Sequence, residues 1–224
     1  MAGSVTENLQ KLNRIIPQGV TLVAVSKFHP LEALAEAYEA GQRVFGESRA
    51  LELDAKAAQL PEDIEWHFIG HLQTNKVKKV GARATMIHSV DSDRLLQAID
   101  AEAVKAGRRT GVLLQLHVAR EETKFGFTPA ELLDFVTPRL VESLKGVEIR
   151  GVMGMASNVD DDERIRADFR EIRAVFDRLK TTVFASSSRF DTVSMGMSHD
   201  WPIAVEEGST MVRVGTSIFG EREY

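Results

Sequence analysis

Short apolar runs alternate with stretches of helical spacing along almost the whole chain. The apolar runs predict strands at about 21–27, 43–47, 65–70, 86–90, 110–118, 147–155, 192–197 and 211–215. Between them lie segments such as "LEALAEAYEAG" and "SDRLLQAIDAEAVKAG" with the period of a helix. The clearest covers 160–180, where Ile165, Phe169, Ile172, Phe176 and Leu179 fall at intervals of four and three on one face. The acidic "NVDDDE" stands at its start, where the helix dipole favours negative charge. A further helix over 4–16 precedes the first strand.

Strands that alternate with helices imply an α/β fold with a parallel sheet and helical crossovers. The first four strands start at 21, 43, 65 and 86, and eight strands fit one closed (β/α)8 TIM barrel with an extra N-terminal helix. A doubly wound open sheet is the alternative. No linker, low-complexity tract or internal repeat divides the chain, so residues 1–224 are expected to form a single domain. "ASSSRFD" at 185–191 is loop-like but too short to separate domains.

Composition narrows the function. Apolar residues make up 43% and charged residues 27% of the 224 positions, as in an ordinary globule. A net charge of -5 gives no overall pull towards nucleic acid or an anionic membrane. The absence of cysteine excludes disulfides, thiolate metal sites and a cysteine nucleophile. The N-terminus lacks the basic and apolar regions of a signal peptide, and no apolar run approaches the roughly 20 residues that span a bilayer. A cytoplasmic protein is the expectation.

In a barrel of this kind, function sits at the C-terminal ends of the strands. The stretch "TLVAVSKFHP" ends its apolar run with Lys27 at that position. Apolar neighbours can desolvate such an amine, lower its pKa and make it a nucleophile towards a carbonyl. Taken alone, Lys27 is better read as a strand-end lysine that snorkels to solvent. "SMGMSHDW" follows the seventh strand and "VRVGTSIFG" contains the eighth. Ser198, Gly215 and Thr216 there offer hydroxyls and close backbone approach, which suit a phosphate at the loops after strands seven and eight. They also read as a helix cap and a turn. A lysine nucleophile facing a phosphate site points to pyridoxal 5′-phosphate (PLP), which carries an aldehyde and a phosphate.

"VAVSK", "FGE" at 45–47, "WHFIGHLQTNK" at 66–76, "IHSVDS" at 87–92, "SMGMSHD" and "VRVGTSIFG" resemble the YggS/PROSC family over nearly the whole chain. These are PLP homeostasis proteins, similar in fold to the N-terminal barrel of alanine racemase. The resemblance implies that Lys27 carries PLP as a Schiff base and that Ser198, Gly215 and Thr216 hold the phosphate, with Ser194 a further candidate. It places Arg213 against the pyridine nitrogen and Met153 or Met155 at the pocket wall. A permanently charged arginine there disfavours the pyridinium form and weakens the ring as an electron sink. Ser48 stands where the family has an asparagine and cannot offer the same paired donor and acceptor. His117 also replaces an asparagine, while Glu121 and Lys124 match possible pocket-rim positions.

Two further signals have plainer readings. His67 and His71 are four apart, but along a strand and its exit that spacing covers roughly 13 Å, too far for a shared metal. "NKVKK" at 75–79 reads as a solvated helix face rather than a nucleic-acid patch.

The expected function is therefore a PLP carrier acting in vitamin B6 homeostasis, without catalytic turnover. Its expected partners are PLP and the apo forms of PLP-dependent enzymes, with no nucleic acid, membrane or metal, and it is expected to be a monomer. The alternative is a PLP-dependent racemase or decarboxylase of the alanine racemase type. Against it, a two-base racemase needs a proton donor on each face of its substrate. The only tyrosines are Tyr38, in the first barrel helix, and the terminal Tyr224. A barrel that binds a sugar phosphate or nucleotide without PLP is a third reading.

Overall fold

The computed structural model describes residues 3–119 and 125–221. Eight parallel strands close into a barrel: β1 (Thr21–Val25), β2 (Val44–Glu47), β3 (Glu65–Phe68), β4 (Met86–Val90), β5 (Thr110–Gln115), β6 (Val147–Met153), β7 (Thr192–Ser194) and β8 (Met211–Val214). Each pairs with the next, and β8 pairs with β1 through Thr21–Met211 to Ala24–Val214. The closed barrel therefore holds and the open sheet does not. Ten α-helices and a short 3-10 turn (Thr74–Lys76) accompany the strands among the described residues: α1 (Val5–Ile15), α2 (Leu31–Glu39), α3 (Ala50–Ala57), α4 (Val77–Gly81), α5 (Asp93–Lys105), α6 (Pro129–Phe135), α7 (Pro138–Ser143), α8 (Asp162–Thr181), α9 (Trp201–Glu206) and α10 (Thr216–Phe219). None is long and apolar enough to cross a membrane.

All eight expected strands form, but β1, β3, β5, β6 and β7 stop two or three residues early. Beyond their ends the chain keeps single bonds rather than a ladder: Leu116 N–H to Met153 C=O, Gly154 N–H to Ser194 C=O, and Met195 N–H to Met211 C=O. These residues leave the sheet to build the barrel mouth.

The helices form where side chains satisfy their ends. Ser4 and Glu7 make a reciprocal capping box at α1, and Thr128 and Glu131 do so at α6. Asp161 accepts from Glu163 and Arg164 N–H at the start of α8. Ile165, Phe169, Ile172, Phe176 and Leu179 of α8 are all buried, each contributing roughly 1.5–3 kcal/mol of apolar burial.

Inside the barrel, alternate residues of each strand stack in layers. Val23, Met86, Leu113, Met153 and Met211 form an apolar lower layer. Two residues further along their strands stand His88 and Arg213, and beside them His67 of β3 and Ser194 of β7, all buried. Met155 stands at this second step on β6, and a third step reaches Lys27 and Gly215. On β6 this phase depends on a bulge: Val112 faces Ile149 but Leu113 faces Gly151, so Arg150 is extra. Gly151 sits at φ +156°, and a Cβ there would lie 1.7 Å from Thr192 O, so only glycine fits.

The middle layer is polar and linked. Arg213 Nη1 donates to Ser194 Oγ at 2.7 Å, Ser194 Oγ lies 3.1 Å from His88 Nδ1, and His88 Nε2 lies 3.0 Å from His67 Nδ1. Among the described residues Ser194 Oγ has no other acceptor for its proton, so that proton is assigned to His88 Nδ1, and His88 Nε2–H then donates to His67. Burial pushes His67 down to about 4, and the charge of Arg150 adds to this. Burial first, then His67 and Arg213, lowers His88 well below its ordinary value.

Both rings are thus neutral in the folded protein, while unfolded histidine takes up a proton from about pH 6.5 downwards. The unfolded state binds more protons between about pH 6.5 and 4, so stability falls as pH drops through that window. For His67 alone the loss is on the order of 3 kcal/mol. Urea unfolding at about pH 7 and about pH 4.5 tests this. The acid-induced loss should be clearly smaller in His67→Gln than in the parent chain; equal losses would contradict the assignment.

Candidate functional site

A cavity of about 250 Å³ opens at the C-terminal end of the barrel. Lys27, Met155, Ser198, Arg213, Gly215 and Thr216 all line it, together with Val25, Ile69, Met197 and His199. The period-two pattern explains the first of these: Val23 lies in the lower layer, Val25 at the cavity floor, and Lys27 at the mouth.

Arg213 is held from three directions. Its Nη1 donates to Ser194 O at 2.8 Å as well as to Ser194 Oγ, and its Nη2 donates to Gly154 O at 3.1 Å. Burial lowers its pKa to about 10, with Asp200 opposing, so it stays cationic at neutral pH. A fixed cation in the wall disfavours protonation of any heterocyclic nitrogen placed beside it.

Next to Arg213, the loops after β7 and β8 complete this side of the cavity. Gly215 N–H donates to Ser198 Oγ at 3.2 Å, tying one loop to the other. A Cβ on Gly215 would come within 3.1 Å of Val25 O, so its absence lets the exit of β8 lie close against β1. Asp200 Oδ1 accepts from Met197 N–H at 2.5 Å and locks the loop before α9. Ser198 and Thr216 bring hydroxyl donors to one end of the cavity, beside the first turn of α10. An amine, a fixed guanidinium and this donor cluster fit a ligand with a carbonyl, a heteroaromatic ring and a phosphate.

Other candidates sit elsewhere. Met153 packs in the lower layer, one step beneath Met155. Ser194 is fully buried and meets the cavity only through Arg213. Ser48 faces a neighbouring groove of about 650 Å³ with Phe28, Arg49, His71 and Lys76. His117 is half-buried and its backbone N–H bonds Phe127 O. Glu121 and Lys124 lie outside the described residues. His67 points into the barrel, whereas His71 stacks on Phe125 at 3.9 Å and lies 3.1 Å from Asp91. Among the described residues no group of three or more side chains could hold a metal.

The sequence reading missed His199, although "SMGMSHD" contains it, and His88, which looks like any strand residue. It also missed Glu52 and Lys56, four apart on one face of α3, which hold the turn around Lys27. In that turn Phe28 adopts φ +69°, the only left-handed non-glycine among the described residues. Such a backbone costs roughly 1–2 kcal/mol and persists where its surroundings enforce it.

The chain matches the family described as "Alanine racemase, N-terminal domain" over residues 2–223. It is 39% identical over 220 residues to the pyridoxal phosphate homeostasis protein of Vibrio alginolyticus, covering 96% of this chain and 91% of that one. PipY of Synechococcus elongatus PCC7942, solved without PLP, superposes with a TM-score of 0.90 at 40% identity over 96% of this chain and 100% of its own. The same protein solved with PLP bound gives 0.87 at the same identity and coverage. Alanine racemase from E. faecalis shares the fold alone, at a TM-score of 0.72 and 21% identity over 97% of this chain and 58% of its own. Full-length agreement in sequence and fold thus matches the motifs: the chain belongs to the alanine racemase N-terminal domain family and, within it, to the pyridoxal phosphate homeostasis proteins.

Proposed function

We propose that this protein binds PLP at the barrel mouth with Lys27 as the covalent anchor, and that it holds and passes on the cofactor rather than running a reaction on it. The observation that carries the reading is one cavity lined by Lys27, Arg213, Ser198, Gly215 and Thr216. PLP bound to PipY, which is 40% identical, supports the same ligand here. When bound, PLP supplies an aldehyde for the amine, a phosphate for the hydroxyl donors, and an aromatic ring between them.

The residues of the chain have separate tasks. Lys27 Nζ gives up its proton to act as the nucleophile. Ser198 Oγ and Thr216 Oγ1 would donate to the phosphate, and Met155, Ile69 and Val25 would offer apolar surface to the ring. Arg213 keeps the ring nitrogen unprotonated, which suits storage better than chemistry that drains electrons into the ring. A second proton carrier is also missing from the described lining in tyrosine form. Tyr38 donates to Asp63 at 2.8 Å on the protein surface. Recipients are apo forms of PLP-dependent enzymes, which accept the aldehyde on lysines of their own.

Purified protein mixed with PLP should turn yellow, and borohydride should fix the label to the Lys27 peptide, whereas Lys27→Ala should stay colourless. An adduct at another lysine, or none, would overturn the reading. Ser198→Ala and Thr216→Val should each weaken PLP binding on the order of tenfold and leave binding of pyridoxal, which has no phosphate, within about twofold. Equal losses for both ligands would remove these residues from the phosphate. A panel of amino acids incubated with the loaded protein should show no sustained turnover; turnover abolished in Lys27→Ala would establish the enzyme reading, with His199 the proton carrier to test first.

A further inference from the structure

We infer that Glu47, Glu52 and Lys56 are positioning residues for Lys27: they hold the backbone on both sides of the lysine and so set how its amine stands in the cavity. None of the three lines that cavity. Their bonds go to residues 26 and 28, which flank the lysine. Ser26 Oγ donates to Glu47 Oε1 at 2.7 Å. Lys56 Nζ donates to Ser26 O at 2.8 Å, to Glu47 Oε1 at 2.8 Å and to Glu52 Oε1 at 2.6 Å. Phe28 N–H donates to the same Glu52 oxygen at 2.6 Å.

This arrangement is expensive for a merely structural one. Lys56 and Glu47 are buried, and a buried ion pair seldom stabilises a fold more than apolar packing of the same volume. Glu47 Oε2 has no hydrogen-bond partner among the described residues, so the cluster is not arranged to satisfy its own charges. It is arranged around the turn. Ser26 keeps one last backbone bond to β2, its N–H donating to Gly46 O at 3.0 Å; two residues on, past the end of the ladder, Phe28 is the residue forced into the left-handed region. A strained turn held by the buried Lys56–Glu47 pair on one side and the partly buried Glu52 on the other, with a lysine between, is a device for precision.

The inference rests on the PLP reading of the cavity, and its test separates the two. Glu52→Ala removes the acceptor for Phe28 N–H but leaves Lys56 paired with Glu47 and Ser26. Glu52→Gln keeps an acceptor. The double variant Glu47→Gln/Lys56→Met removes the buried charges together and provides a second folded comparison. On cofactor-free protein, the rate at which Lys27 is reductively methylated is read by peptide mapping; on loaded protein, the rate of PLP release is read by its absorption. Glu52→Ala should keep a urea midpoint close to the parent, change the Lys27 modification rate at least about fivefold and release PLP about tenfold faster, since small displacements of a reacting group carry effects of this order. Glu52→Gln should recover most of both. If the folded variants stay within about twofold of the parent in both rates, the inference fails. If no variant or parent takes up PLP yet the modification rate shifts as stated, the PLP reading fails and the positioning role stands.

Discussion

A closed eight-stranded barrel leaves no free choice about what fills it. Every strand contributes each second residue to the interior, and those residues stack in layers of fixed height. The apolar layer of Val23, Met86, Leu113, Met153 and Met211 closes the lower interior. Everything chemical follows from being one or two steps above it. Arg213 stands one step above Met211, and Gly215 one step above Arg213; Lys27 stands two steps above Val23. The cavity is the level at which the layers end.

The interior handles its charges in two contrasting ways. Among the described residues no carboxylate bonds the buried Arg213; two carbonyls and a hydroxyl accept from it, and the two imidazoles linked through that hydroxyl are kept neutral by burial. Outside the barrel wall, Lys56 meets two carboxylates at once, and burial raises Glu47 against the pull of that lysine. The first arrangement preserves a positive charge facing the cavity. The second spends an ion cluster on holding a turn still. Both replace flexible solvent with fixed dipoles at the place where a small molecule must be oriented.

Most of the fold was legible because strand and helix periods are local properties. Eight apolar runs gave eight strands, and the stripe from Ile165 to Leu179 gave α8. Lys27, Ser198, Gly215 and Thr216 were legible because each sits at a strand exit, and strand exits share one end of a barrel. The rest depends on contacts between distant positions. Nothing local says that His88 will meet Ser194, 106 residues away, or that Lys56 will reach Ser26, 30 residues away. Ser48 and Met153 show the limit on strand counting: a residue can lie on the right strand and face the next groove, or lie a layer too low.

The bulge at Gly151 governs that counting on β6. Val147 and Ile149 pack in the helix-facing core, and so does Val152, although it lies an odd three positions beyond Ile149. The extra residue at 150 reverses the parity of everything after it, which is why Met153 and Met155 face the barrel axis. One-eighth of the lining is thus addressed by a single insertion rather than by its own side chains. A one-residue deletion between 147 and 151 would leave a perfectly good strand with the wrong face turned inwards, so the length of this short segment is constrained more tightly than its composition.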